Sequence, residues 1–177
     1  MKILSLLFVL VALSTTGCSN SGSDTSSGGG GDSVLSDAEI TSLVYIREEE
    51  KLARDVYRVL FDQWGLEIFN TIAGSEQNHM DTMLAMLNQF GIPDPVTSDS
   101  VGIFSDPSLA ALYQDLLSRG KQSPSQAIEV GIFIEETDID DLQRAIAEST
   151  QPDLDRAYEN LLQGSINHLA AFSSQPR

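Results

Sequence analysis

The chain contains only two histidines, His79 and His168, and a single cysteine, Cys18. Glu76 stands three residues before His79. On a helix that spacing lets both side chains reach one point, and paired Glu-x-x-His segments build dinuclear metal sites inside helical bundles. At about 100° per residue, Glu76 falls at the centre of the apolar stripe made by Phe69, Ile72, Ala73, Met80, Met83 and Leu87. A carboxylate placed there without a partner costs several kcal/mol or gives up its charge. The position therefore demands a cation, a proton or a hydrogen-bonding network. Four-residue matches also arise by chance, so the other inward faces decide the matter.

Three more segments repeat the anomaly. Glu135 interrupts the row Ile128, Ile132, Ile139 and Leu142, while Glu136 projects about 100° away and Glu129 lies toward the edge. His168 shares a face with Leu154, Leu161 and Phe172. In the run Glu48-Glu49-Glu50, Glu48 points away from the apolar stripe and is expected in solvent, and the other two flank its centre line. Glu50 is preferred because Tyr57 follows two turns later, with the small Ala53 between them. Plainer readings stand beside these. Glu50 can pair with Arg54 at i+4, His168 can be a core histidine bonded to Asp138 or Ser165, and Glu136 or Asp138 can replace Glu135 if the helix phase differs. Met80, Met83 and Met86 read as core filler. Tyr57 reads as a packing residue that can also hydrogen-bond a ligand carboxylate or carry a radical.

The converging set is Glu50, Glu76, His79, Glu135 and His168. Three carboxylates nearly balance two divalent ions, whereas a single ion would leave excess negative charge. Carboxylates joined by imidazoles favour iron or manganese. Two such ions would leave an open position for water, peroxide or dioxygen.

Four long helices must position these residues. Ser36 and Asp37 open the first, with Glu39 completing a capping box; Leu43, Ile46, Ala53, Tyr57, Leu60 and Trp64 mark its face, and Gly65 stops it. The second carries its stripe from Phe69 to Phe90 and ends at Gly91. Residues 92–107 hold three prolines and form a long connection, followed by a short helix over about 108–118 that ends at Gly120. Ser123-Pro124 begins the third long helix and Pro152 the fourth. No alternating stretch is long enough to build a sheet. The expected fold is all-α, a four-helix bundle with a long crossover between the second and third long helices and a short extra helix.

Residues 1–17 join an early lysine to a short apolar run and small residues, the form of an export signal. The run is shorter than the roughly 20 residues of a spanning helix. With Cys18 directly after it, the segment resembles a lipoprotein signal, which implies Cys18 as the lipid attachment site and a lipid-anchored location in the cell envelope. Residues 18–33, rich in Ser and Gly, read as a tether, and residues 34–177 as the folded domain. The 26 acidic against 10 basic residues, a net charge of −16, argue against nucleic acid as a partner. One cysteine supplies neither an internal disulfide nor a cysteine-rich metal site.

The blocks Arg47 to Tyr57, Ser75 to Met80, Gly131 to Leu142 and Gly164 to Leu169 together resemble the DUF2202 family of ferritin-like proteins. The resemblance implies a ferritin-like bundle with two metal ions. Glu50, Ala53, Arg54 and Tyr57 are similar to the Glu-x-x-Ala-Arg-x-x-Tyr of rubrerythrins, which supports Glu50 over Glu49. At the fourth long helix Ser165 stands where rubrerythrins and heme-binding bacterial ferritins have glutamate, so the ligand set is more similar to that of manganese catalases. The expectation is an exported dimetal protein with oxidoreductase chemistry toward peroxide or dioxygen, with Tyr57 beside the ligands and Asp138 orienting a metal-bound histidine. A one-electron route would need an external electron donor. Membrane contact is expected only through the lipid, and a homodimer is among the assemblies open to the chain. The alternatives are a non-enzymatic lipoprotein that binds or sequesters metal, and an interaction module of the envelope whose polar core holds protons and water.

Overall fold

The computed structural model describes residues 34–176. The signal segment 1–17, Cys18 and the Ser/Gly tether lie outside the described residues. Five helices follow in order: α1 (Asp37–Trp64), α2 (Glu67–Gln89), α3 (Pro107–Gly120), α4 (Pro124–Glu148) and α5 (Pro152–Ser173). No strand occurs among the described residues, and no helix there is long and apolar enough to cross a membrane.

Local chemistry sets the helix ends. Ser36 and Glu39 cap α1 reciprocally, and a second oxygen of Glu39 accepts from the backbone of Thr150, fastening the α4–α5 turn to the start of α1. Burial alone would raise the Glu39 carboxyl, but the Thr150 and Ser36 donors outweigh it and hold it down at about 2. Gly65 closes α1 in the left-handed region at φ 64°, where a side chain would be strained. Asp106 caps α3 ahead of Pro107, and Ser123 caps α4 ahead of Pro124.

The short turns after α1 and α4 make two antiparallel helix pairs, α1 with α2 and α4 with α5. Contacts of α1 with α4 and of α2 with α5 join the pairs into a four-helix bundle, and α3 packs beside α1 and α4. Residues 90–106 and α3 form the crossover between the pairs.

Each of the four long helices passes through two separate apolar clusters. One contains Val56, Tyr57, Phe69, Ile72, Ile128 and Phe172. The other contains Leu43, Ile46, Met83, Leu87, Leu142 and Leu161. Between them each helix contributes a polar stretch: Glu49 and Glu50 on α1, Glu76 and His79 on α2, Glu135 and Asp138 on α4, Ser165 and His168 on α5, all buried. Close packing supports this layer. A Cβ at position 131 would lie 2.7 Å from the Phe172 ring, so Gly131 lets α4 and α5 approach.

Candidate metal centre

The five residues singled out by their anomalous position on apolar faces come together in that layer. Glu50, Glu76 and His79 each offer a ligand atom, and these atoms lie within 4.8 Å of one another. Glu76, Glu135 and His168 form a second group meeting the same limit, so Glu76 is shared by both. Nδ1 of His79 stands 2.8 Å from Glu76 Oε2 and 3.2 Å from Glu50 Oε2. Nδ1 of His168 stands 2.9 Å from Glu76 Oε1 and 3.5 Å from Glu135 Oε2. The two imidazoles stack with centroids 5.5 Å apart.

Several of these contacts are close without being hydrogen bonds. His168 Nδ1 and Glu76 Oε1 have no hydrogen-bond partner despite their separation, and Glu50 Oε1, Glu49 Oε2 and Asp138 Oδ1 are also unpartnered and buried. Such orphans are uncommon in folded proteins and call for a specific explanation. Lone pairs turned toward a common point, rather than toward donors, are what metal ligands present.

Electrostatics point the same way. Burial raises Glu50 and Glu49 well above the ordinary carboxylate range, and the neighbouring Asp138 adds to both shifts. Burial, reinforced by Glu76, pushes Glu135 up to about 8. Asp138 is pushed up to about 7, burial outweighing the Ser165 hydrogen bond. Glu76 alone is lowered, to about 2, because His168 and His79 outweigh its burial. Burial pulls the histidines down, but their carboxylates win: Glu50 and Glu76 raise His79 to about 11, and Glu135 and Glu76 raise His168 to about 9. Five buried carboxyl groups thus meet only two imidazoles, and all but Glu76 are pushed toward their neutral forms.

Neighbouring groups fix the candidate ligands. The Tyr57 hydroxyl donates to Glu135 Oε1 at 2.6 Å. Nε2 of His168, across the ring from the inward Nδ1, stands 2.9 Å from Ser75 Oγ, which can accept a hydrogen bond from it. A Cβ at position 164 would come within 2.6 Å of His79 Nε2, so Gly164 makes room for that ring.

Some expectations are corrected. Glu48 is not in solvent: it is buried and accepts from the backbone N–H groups of Ser105 and Asp106 at 2.6 and 2.9 Å, because the crossover covers that side of α1. Arg54 does not pair with Glu50; it binds Asp55, Gln77 and Asp99 on the opposite side. Asp138 makes no hydrogen bond to a histidine. Its Oδ2 accepts from Ser165 Oγ at 2.5 Å, on the helix where a sixth ligand is absent. Glu49, set aside in favour of Glu50, lines the same cavity as Glu50, Glu76, Glu135 and Asp138. Ser75 and Gly164 carry no signal of their own in the sequence, because neither interrupts an apolar stripe.

Comparison with known proteins gives relatives of the whole domain. The family described as "Uncharacterized protein domain (DUF2202)" matches residues 39–175. The uncharacterized protein MJ0754 of Methanocaldococcus jannaschii is 47% identical over 138 residues, which span 78% of this chain and 75% of the relative. A crystal structure of the hypothetical protein MJ0754 from Methanococcus jannaschii superposes with a TM-score of 0.77, covering 78% of this chain and 79% of that one.

Proposed function

Taking as premise that this chain belongs to the DUF2202 family, we propose that it is a ferritin-like protein holding two divalent ions, iron or manganese, and acting as an oxidoreductase on peroxide or dioxygen. The observation that carries this reading is the pair of buried triads sharing Glu76. Glu50, Glu76 and His79 would hold one ion and Glu76, Glu135 and His168 the other. The orphaned oxygens and the unpartnered His168 nitrogen fit this donor set, and two divalent ions would favour the ionised form of carboxyls that burial now pushes toward neutrality.

Bound there, the ions would supply Lewis acidity and a change of oxidation state to a small oxygen species. The residues of the chain do the rest. Tyr57 O–H holds Glu135 in place and offers a proton beside it. Ser75 Oγ, beside Nε2 of His168, would accept a hydrogen bond from that nitrogen and leave Nδ1 free for an ion. The two apolar clusters close the layer at both ends and exclude bulk water. Dismutation of peroxide needs no outside electron donor, whereas reduction of dioxygen needs one.

Export and lipid attachment at Cys18 belong to the same proposal, supported by the apolar run before Cys18 and the Ser/Gly tether after it. Fatty-acid labelling of the expressed chain, lost in Cys18→Ser, tests them.

Metal content and turnover test the centre. Two iron or manganese ions per chain, with loss of added peroxide, are expected. Tight metal without turnover would make it a binding or sequestering protein. If the wild type and a Glu76→Ala/His168→Ala variant held equally little metal, the dimetal reading would be wrong.

A further inference from the structure

Two buried carboxylates of the polar layer belong to neither triad. Glu49 and Asp138 expose 4% and 5% of their surface, and both face the cavity that Glu50 and Glu76 also line. Each keeps an oxygen without a hydrogen-bond partner, Glu49 Oε2 and Asp138 Oδ1. Asp141 stands three residues after Asp138, one turn further along α4. The Asp141 side chain is 15% exposed and pairs at 2.7 Å with Arg144, whose own side chain is 62% exposed. A row of carboxylates thus runs inward from the surface at Asp141, past Glu49 and Asp138, to Glu50.

We propose that Asp141, Glu49 and Asp138 form the route by which divalent cations reach the centre, an inference that rests on the dinuclear reading above. Acidity alone would not carry it; the buried, unpartnered oxygens facing the cavity do. If their purpose were packing, apolar or amide side chains of similar volume would fill the space without mutual repulsion. Nor do they form a third chelate. Among the described residues, the groups whose ligand atoms converge are the two triads, and Glu49, Asp138 and Asp141 belong to neither. Carboxylates too dispersed to retain an ion, yet continuous with ones that converge, suit transfer inward.

The other approaches are lined differently. Apolar clusters close the bundle above and below the layer. On the α2–α5 side the His79 and His168 side chains expose 11% each, and Gly164 lies against the His79 ring. Arg144 sits at the mouth of the proposed route, where its guanidinium neutralises Asp141 and repels an arriving cation. It therefore limits the rate of loading.

Loading of the metal-free protein with Co(II), followed by stopped-flow absorbance and by metal analysis of the product, tests the route. Glu49→Gln and Asp141→Asn are each expected to slow uptake at least about tenfold while the final content stays at two ions per chain. Arg144→Gln is expected to speed uptake severalfold, with the gain shrinking as salt is added. Unchanged rates in Glu49→Gln and Asp141→Asn would overturn the route. A final content falling in step with the rate would also overturn it, by making these residues ligands. A wild-type chain that takes up no Co(II) would instead remove the centre, and the route with it. Arg144 is largely exposed, so its variant reads the mouth without a folding defect, and no change in its rate also counts against the route.

Discussion

One stretch of α1, Arg47 to Asp55, carries two sets of buried charges on opposite sides, and they are completed in opposite ways. On the side facing the crossover, Arg47 binds Asp94 at 3.0 Å and the Met80 carbonyl at 3.2 Å. Lys51 binds Asp55 at 2.6 Å and the Ser100 carbonyl at 2.9 Å, and its ammonium lies over the Phe104 ring. Arg54 reaches Asp55 and Gln77, and Asp55 also accepts from the backbone of Gly102. Glu48 accepts from Ser105 and Asp106. Every charge there meets a partner from the chain, and the set straps the crossover onto α1. One residue along, Glu49 and Glu50 are buried just as deeply and each keeps an orphan oxygen. Burial does not separate the two regions. Completion does: one is neutralised from within, the other keeps buried oxygens that no donor of the chain meets.

The sharpest way to break that comparison is to damage the self-completed side. Asp55→Ala leaves Lys51 and Arg54 buried without their carboxylate and is expected to cost about 3–5 kcal/mol in urea unfolding, with or without metal. If added Mn(II) recovered that loss, the two sides would not be independent. Glu50→Gln should behave in the reverse sense. It leaves the self-completed side untouched, so the loss appears in metal affinity, which should fall at least about tenfold in competition with a chelator.

The next effect is one of pH. Glu135 and Asp138 sit at about 8 and about 7 in the folded protein, above their ordinary values of 4.5 and 3.8. Their contribution to stability is complete below the ordinary values and is lost as pH rises through 7 to 8. His79 and His168, raised from 6.5 to about 11 and about 9, lose theirs over a higher window in the same direction. The Tm of the metal-free protein should therefore drop by about 5 °C or more between about pH 5 and pH 9. Bound metal should reverse the trend, since it requires deprotonated ligands. A metal-free Tm that rose over this range would mean that the layer is satisfied without cations. The smallest expected effect is that of Ser75→Ala, which frees the outer nitrogen of His168 and should weaken metal binding by about tenfold with little change in the Tm of the metal-free protein.

Much of the architecture is legible in residue order because its signals are local. Ser36 with Glu39, Gly65, and Pro107, Pro124 and Pro152 mark helix ends by chemistry confined to one turn. Glu76, Glu135 and His168 stand out because each interrupts an apolar stripe. What periodicity on one helix does not reveal is what covers its far side. Glu48 reads as a solvent residue until the crossover lies over it, and Arg54 reads as a partner of Glu50 until Asp55 and Gln77 claim it. Adjacent glutamates at 49 and 50 straddle the inward direction, so both enter the layer where one was expected. The partner of Asp138 was hidden for a similar reason: Ser165 is small, lies on another helix, and becomes informative only when the two helices are paired.

The division of the core into two apolar clusters bears on which ions would suit the centre. Each long helix is gripped above and below the polar layer, like a rod passing through two plates. The spacing of the ligand-bearing turns is then set by covalent helix geometry, about 1.5 Å of rise per residue, and by the plates, rather than by whatever occupies the gap. An ion of the wrong radius would have to be met by rotation of glutamate side chains, because the backbone is held on both sides. In the proposed dimetal centre, selection by size would thus come from the apolar packing, at residues that never touch the ion.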